Sequence, residues 1–204
     1  FQDSLRIRRE IGDRRGEGAT FGSIGSLRSA QGRWDDAIEM FVQTLQIARQ
    51  TGDRKYEAYT LGKLAWAYAQ LKRWDEAIET YEQDLAICRE LGDPDDTQVV
   101  YWLATVYCKA DRLDAAIKLV DKSISCCQKM NDQPREGRLL GLLGALFAAK
   151  GHTRKAAAAF QQALARFRAT SPEYALLAQQ LQSLGPVADT PDGSTVRPRS
   201  TMDN

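Results

Sequence analysis

Apolar side chains recur along this chain at the spacing of one face of an α-helix. Between Tyr59 and Cys88 two such runs follow each other, separated by a polar break at Lys72-Arg73. Their apolar positions are Leu61, Leu64, Ala65 and Tyr68, then Trp74, Ala77, Ile78, Tyr81 and Leu85. Spacing of i, i+3, i+4, i+7 is typical of an amphipathic helix with one buried face. The pattern therefore predicts helix, turn, helix.

This two-helix pattern is itself repeated. The segments RWDDAIEMFVQTLQIARQTGD (Arg33–Asp53) and RWDEAIETYEQDLAICRELGD (Arg73–Asp93) agree at 12 of 21 positions. A small residue recurs at spacings of 40, 39 and 40, at Ala37, Ala77, Ala116 and Ala156. The pattern predicts four repeats, residues 14–52, 53–92, 93–131 and 132–170, preceded by half of a truncated repeat in residues 1–13. We therefore expect a segment of a larger protein.

A stop signal and a start signal lie between successive units. The junctions read Gly12-Asp13, Gly52-Asp53, Gly92-Asp93 and Asn131-Asp132. Gly or Asn accommodates the left-handed residue that ends a helix, and the Asp oxygen accepts from amides that begin the next one. The third repeat is one residue shorter, and Pro94 fits the first turn of its first helix. Asp35, Asp75 and Asp114 place negative charge where the helix dipole favours it.

These residues resemble the tetratricopeptide repeat. Its pattern is matched in the second repeat by Leu61, Leu64-Ala65, Tyr68, Trp74, Ala77 and Tyr81. The 40-residue length is similar to the long-repeat subclass of Pins-type spindle adaptors, kinesin light chains and bacterial signalling proteins. The resemblance implies an all-α fold, a right-handed α-solenoid of antiparallel helix pairs. Residues 171–184 are predicted to form a capping helix, and residues 185–204 a disordered tail.

Composition excludes several classes of function. Among 204 residues, 43% are hydrophobic and 27% charged, which is typical of a folded protein. The net charge of +1 provides no field that would attract nucleic acid or a membrane surface, and no apolar run approaches the roughly 20 residues of a membrane helix. Four cysteines without a C-x-x-C pair predict reduced thiols, a cytoplasmic protein, and no metal or other cofactor.

No pattern in the sequence predicts catalysis. There is no Ser/His/Asp set, phosphate-binding glycine loop or HExxH, so we expect a protein that is not an enzyme. His152 falls in a turn, and small-residue packing is favoured for Cys88 and Cys127 over a redox or metal role of Cys126-Cys127.

Glycines recur inside first helices at Gly22, Gly62 and Gly141, where packing is favoured over ligand access. Arg28 occupies a position, expected to be core, that is aromatic in the other repeats.

The resemblance places the first helix of each repeat on a concave face, which predicts the binding site. The candidate partner-binding residues are Tyr59, Trp66, Gln70, Gln98, Tyr101, Thr105, Lys109 and Arg138. Aromatic and Arg side chains dominate binding energies at interfaces, and aromatics beside small residues can form a groove for a helix or extended peptide. The alternative is that Tyr59 and Trp66 only wedge against the neighbouring repeat.

The sequence therefore predicts a protein–protein interaction scaffold, within a larger signalling or assembly protein, that binds a peptide or partner helix. Self-assembly is a second hypothesis, because Leu5, Ile7 and Ile11 lie on one face of the half-repeat and suit a homo-oligomer. Helical-repeat RNA binding is disfavoured, since it expects a basic groove with polar base-reading residues.

Overall fold

The computed structural model describes residues 2–92 and 96–185, and within these ranges the chain contains α-helices and no strands. The predicted all-α fold is confirmed. Ten helices follow in the order α1 (Gln2–Glu10), α2 (Arg14–Ala30), α3 (Trp34–Gln50), α4 (Arg54–Gln70), α5 (Trp74–Leu91), α6 (Asp96–Lys109), α7 (Leu113–Lys129), α8 (Gln133–Ala149), α9 (Thr153–Leu164) and α10 (Pro172–Ser183). The tail beyond Gly185 and the position of Pro94 lie outside the described residues.

The chain divides into two compact units between Met130 and Asn131. In the first unit α2 packs on α3, α4 on α5 and α6 on α7, while α3 contacts α4 and α5 contacts α6. Turns of three residues join the helices of each pair, and connections this short make neighbouring helices antiparallel. In the second unit α8 packs on α9, and α10 packs on α9. Helix α1 packs on α2 in the first unit.

The predicted stop and start signals are confirmed where the structure describes them. Gly52 has a φ of 66° and Asn131 a φ of 54°, which is the left-handed conformation expected after a helix. The side chains of Asp53 and Asp132 accept hydrogen bonds from the backbone amides three residues later, at 3.1 Å in both cases. The cap proposed for Asp93 lies outside the described residues. Each described junction thus ends one helix and begins the next with three residues between them.

The repeated alanines lie in the core of the helix pairs. Their side chains are completely buried, at Ala37, Ala77, Ala116 and Ala156. Four residues later on the same helices come the buried side chains Phe41, Tyr81, Val120 and Phe160. A methyl group followed by a large side chain one turn later fills the interior without forcing the helices apart. The 40-residue periodicity of the sequence is therefore a periodicity of the core.

The expectation that Arg28 occupies a core position is wrong. Arg28 is only half-buried, and so are the aromatic side chains at the equivalent position of the other repeats, Tyr68, Tyr107 and Phe147. The guanidinium of Arg28 donates a hydrogen bond to Oε1 of Gln31 at 3.3 Å. Because the position lies at the border of the core, an arginine can pack its aliphatic stem there and keep its charge hydrated.

A buried glutamate ties the second repeat to the preceding helix. Glu57, the fourth residue of α4, accepts from Nε of Arg49 at 2.8 Å and from Nη1 of Arg54 at 2.6 Å. Burial raises the pKa of Glu57, but the two guanidinium groups outweigh burial and hold the pKa below its ordinary value. Arg49 belongs to α3 and Arg54 to α4, so this carboxylate joins two successive repeats.

The same position carries a buried glutamate in two other repeats. Glu17 in α2 pairs with Arg9 of α1 at 2.7 Å and with Arg14 of its own helix. In the second unit Glu136 of α8 pairs with Arg166, whose Nε and Nη2 lie 2.7 and 3.1 Å from the two carboxylate oxygens. The sequence analysis did not single out these glutamates. Each carries a negative charge into the interior that the neighbouring arginines must neutralise.

We expect Glu57→Gln to lower the free energy of unfolding by about 2 kcal/mol near pH 7, because a buried ion pair is replaced by an imperfectly paired amide. The pKa of Glu57 is lower in the folded protein than in the unfolded chain, where it is about 4.3. The ion pairs therefore stabilise fully above that value, and their contribution is lost as the pH falls through the folded-state pKa.

Urea unfolding at about pH 7 and about pH 3 measures both effects. Glu79→Gln is the matched control, since Glu79 is an exposed carboxylate on α5. If the Glu57→Gln variant were as stable as this control near neutral pH, the ion pairs of Glu57 would contribute nothing to the free energy of unfolding.

Candidate functional site

Three first helices of the first unit line an open groove of 840 Å³, here called the central groove. Helix α2 contributes Ser26 and Ser29, α4 contributes Tyr59, Gly62, Lys63 and Trp66, and α6 contributes Gln98 and Trp102. The floor is formed from the second helices by Phe41, Tyr81, Asp84 and Cys88. All of these residues belong to the unit that ends at Met130.

Aromatic rings form the walls of the central groove. Tyr59 is 59% exposed and Trp66 is 40% exposed, which is unusual for side chains of this size in the middle of a packed helix. Trp66 meets Trp102 of the neighbouring repeat edge to face, with ring centroids 5.2 Å apart. Trp66 therefore both wedges against the next first helix and presents a large apolar surface to the groove.

Two lysines line the central groove beside these rings. The ammonium of Lys63 lies 4.9 Å from the centroid of the Tyr59 ring, a cation–π arrangement. Lys55 is exposed one turn before Tyr59 on the same face of α4. Tyr59 also stacks on Tyr56, with centroids 6.1 Å apart. Tyr59 is therefore flanked on its own helix by an aromatic ring and by a cation.

The floor of the groove carries a buried acid. Asp84 of α5 is only 4% exposed, and one of its carboxylate oxygens lies 3.5 Å from the Cys88 thiol, which donates to it. Burial, and secondarily the negative charge of Asp84, raise the pKa of the neighbouring Tyr81 above its ordinary value, so Tyr81 stays neutral. The equivalent positions of the adjacent repeats carry the neutral side chains Thr44 and Ser123. Only the second of these three repeats places a carboxylate here.

The predicted site residues divide into three groups. Tyr59, Trp66 and Gln98 line the central groove. Tyr101 is 47% exposed on α6 beside Trp102, at 5.4 Å between ring centroids, but does not line the groove, and neither do Gln70, Thr105 and Lys109 on the same first helices. Arg138 is exposed on α8 and belongs to the second unit.

Sequence reasoning missed several residues of the groove, among them Trp102 and Asp84. Trp102 aligns with Lys63 of the second repeat, a position that the expected concave face did not include. Asp84 lies on a second helix, whereas the search covered first helices only. The sequence does distinguish Asp84, because the equivalent positions of the adjacent repeats carry Thr or Ser instead of an acidic residue.

The recurring glycines have different surroundings. A Cβ on Gly22 would lie 2.5 Å from the Tyr56 hydroxyl, and one on Gly141 would lie 2.7 Å from a methyl group of Leu177. These two contacts favour the packing interpretation. A Cβ on Gly62 would meet only a carboxylate oxygen of Asp84, at 3.0 Å. At Gly62, therefore, the absent side chain leaves room for the carboxylate of Asp84.

The remaining candidate chemistry is sparse in the residues that the structure describes. The four cysteines form no disulfide, and Cys88 and Cys127 are buried. Across residues 2–92 and 96–185 no group of three or more His, Cys, Asp or Glu side chains is arranged to hold a metal ion. No helix in these ranges is long and apolar enough to cross a membrane.

The repeats and their packing agree with a known family. The family profile described as tetratricopeptide repeat matches residues 16–90 and 96–169. The chain belongs to the tetratricopeptide repeat family. Such repeat proteins are in general protein–protein interaction scaffolds rather than enzymes. A comparison with curated proteins returns no match.

Several solved structures share this fold at low sequence identity. BtubC (BKLC) from P. vanneervenii is 17% identical with a TM-score of 0.70, over 90% of this chain and 79% of that one. A STAND protein with a tetratricopeptide repeat sensor from Pyrococcus horikoshii is 22% identical with a TM-score of 0.67, over 89% of this chain and 28% of that one. Aspartyl phosphate phosphatase F from Bacillus subtilis is 13% identical with a TM-score of 0.66, over 84% and 45%. At such identities the likeness shows the fold alone.

We expect the contact between Trp66 and Trp102 to hold α4 and α6 together across the groove. In a double-mutant cycle of Trp66→Ala and Trp102→Ala, the coupling free energy should be about 1 kcal/mol, as for other edge-to-face aromatic pairs. Urea unfolding of the two single variants and the double variant measures it. Additivity within about 0.3 kcal/mol would show that the two rings are near each other without stabilising the interface.

Proposed function

We propose that this chain is a non-enzymatic scaffold that binds a peptide or partner helix in the central groove. The observation that carries the proposal is the pair of half-exposed rings, Tyr59 and Trp66, standing over 840 Å³ of open space on rigid helices. Exposed aromatic side chains on a preorganised surface supply most of the binding energy at protein interfaces, because they bury large areas at little cost in side-chain entropy.

The dimensions and chemistry of the groove suit a short segment rather than a flat protein surface. Amide and hydroxyl groups from Gln98, Ser26 and Ser29 lie around the aromatic walls and can pair with a peptide backbone. A bound peptide could insert apolar side chains between Tyr59 and Trp66. Its backbone amides and carbonyls could at the same time form hydrogen bonds with the polar groups around the groove.

A role as the sensing part of a larger protein fits the same geometry. The Pyrococcus horikoshii protein with this fold is a STAND protein whose tetratricopeptide repeats are described as a sensor. By analogy, binding in the central groove would report the presence of a partner to other domains. Nucleic acid, a membrane, a cofactor and catalysis have no part in this proposal, because the groove offers no basic track or catalytic set.

A selection from a displayed library of random linear peptides tests the proposal, with the 204-residue chain as bait. We expect wild-type protein to enrich peptides with aromatic or aliphatic residues, and Trp66→Ala to weaken their binding at least tenfold, since an aromatic anchor contributes about 2 kcal/mol or more.

The location of binding is checked by photo-cross-linking. A benzophenone side chain at Gln98 should form adducts with the selected peptides, whereas the same group at Lys118, exposed on α7, should not. Adducts at Lys118 and unchanged binding by Trp66→Ala would place the site elsewhere on the protein. Circular dichroism of each variant controls for loss of helix.

Self-assembly through α1 is a second candidate, favoured by one observation. In α1 and the turn after it, Ile7 is exposed and Ile11 is 70% exposed, so an apolar edge faces solvent. A second copy of the chain docking there would remove these side chains from water.

Sedimentation velocity over a range of concentrations measures this association. We expect the average mass to rise with concentration and Ile7→Glu to keep the protein monomeric, because the charge would be buried in the contact. Gln2→Glu adds the same charge to an exposed polar position of α1 and serves as the control. A monomer at all concentrations would eliminate this candidate.

A further inference from the structure

Self-assembly through α1, the second candidate above, leaves open which surface of another copy docks there. We propose that α10 of one copy packs against α1 of the next copy, so that the two helices together form a complete helix pair. This inference rests on the candidate of self-assembly. It adds the docking surface, a second copy of this chain as the partner, and the order in which copies join.

Helix α1 has the place of a second helix in a pair. It packs on α2 in the way that α3 packs on α4 and α5 packs on α6. Each of these later second helices also packs on the first helix of its own pair, whereas within residues 2–92 and 96–185 no first helix is paired with α1. The consequence is seen at Ile7, which is 48% exposed, while the equivalent Ile47 and Ile87 are each 5% exposed.

Helix α10 has the place of a first helix. It packs on α9 as α4 packs on α3. Ser171 caps it by accepting from the backbone amide three residues later at 3.2 Å, as Asp53 does in α4 at 3.1 Å. Leu176 is the fifth residue after this cap and is 58% exposed. The fifth residue after the cap is buried in α2, α4 and α8, as Gly18, Ala58 and Gly137. Leu176 is therefore exposed at a position that is covered in these complete pairs.

The exposed positions of α10 and α1 are partners in the complete pairs. A Cβ on Gly18 of α2 would lie 3.0 Å from a methyl carbon of Ile47 in α3. In the last pair, a Cβ on Gly137 of α8 would lie 2.8 Å from Cβ of Arg166, which follows α9 and is equivalent to Ile47 in the repeat. Because Ile7 is also equivalent to Ile47, docking of α10 on α1 would join two positions that already meet within each copy.

Burial of these side chains would provide the driving force. Leucine at the fifth position of α10, in place of glycine or alanine, keeps α1 farther from α10 than α3 is from α2, and it offers more apolar surface to Ile7. Removing both side chains from water favours the contact in proportion to the area buried. The net charges agree, because α1 carries three arginines and two carboxylates, while Glu173 is the one charged residue of α10.

The proposed contact joins two different surfaces and is therefore heterologous. Every copy offers α1 to one neighbour and α10 to another, so that copies can add in a ring or in an open chain. A dimer that used α1 on both sides would be isologous and would not need α10. This difference makes the role of α10 separable from self-assembly as such.

Sedimentation velocity of two charged variants, alone and mixed, tests the proposal. Ile7→Glu places a carboxylate in the α1 surface and Leu176→Glu places one in the α10 surface, and burial of an unpaired charge is unfavourable. We expect each variant alone to remain monomeric at concentrations at which the wild-type protein associates. An equimolar mixture should form a species of about twice the monomer mass, because α10 of the first variant and α1 of the second are unchanged. This dimer should not grow, since its two remaining surfaces carry the charges.

Matched controls separate docking from folding. Gln2→Glu adds the same charge to α1 and Gln182→Glu adds it to α10, at exposed polar positions that lie on other sides of the two helices. Both variants should assemble like the wild type. Circular dichroism checks that each variant keeps its helices. Leu176→Ser, which removes the apolar surface without adding a charge, replaces Leu176→Glu if the latter loses helix.

The possible failures are distinct. Assembly of Leu176→Glu like the wild type, or a mixture of the two variants that stays monomeric, would overturn this inference and leave self-assembly through α1 standing. A wild-type protein that is monomeric at every concentration would overturn both the inference and the candidate on which it rests.

Discussion

The buried glutamate at the repeat junction is the constraint on which the geometry of the first unit depends. Glu57 holds Arg49 of α3 and Arg54 of α4 at hydrogen-bond distance, and it is separated from Arg49 by only the turn around Gly52. Since a desolvated carboxylate needs both guanidinium groups close to it, small rotations or shifts of α4 are costly. Tyr59 follows Glu57 by two residues on the same helix, so the pairing that orders the repeats also sets the direction of the groove wall.

Much of the fold could be predicted from the sequence because its determinants are local. Helix ends at Gly52 and Asn131 and caps at Asp53 and Asp132 depend on a few consecutive residues, and the repeat gives several independent copies of each signal. The position of Arg28 was misjudged because an aromatic residue in the equivalent repeats suggested burial. Whether such a position lies inside the core or at its border depends on the rotation of the helix, which periodicity does not determine.

The candidate site could be predicted only in part, for the same physical reason. Tyr59, Trp66 and Gln98 were found because they lie on first helices at one helical spacing. Trp102 was missed because one residue along a helix turns the side chain by about a quarter of a circle, and packing against Trp66 decides where its ring points. Asp84 was missed because it reaches the groove from a second helix past a residue that has no side chain.

In a repeat protein, equivalent residues and exceptional residues carry different information. Ala37, Ala77, Ala116 and Ala156 are equivalent because each pair of helices must pack in the same way, so they describe the scaffold. Gly22 and Gly62 are equivalent in sequence, yet a Cβ would meet the Tyr56 hydroxyl at Gly22 and the Asp84 carboxylate at Gly62. The same repeated glycine thus accommodates a different neighbouring side chain in each repeat. The side chains that differ between repeats, rather than the repeated residues, therefore give each part of this scaffold its own surface chemistry.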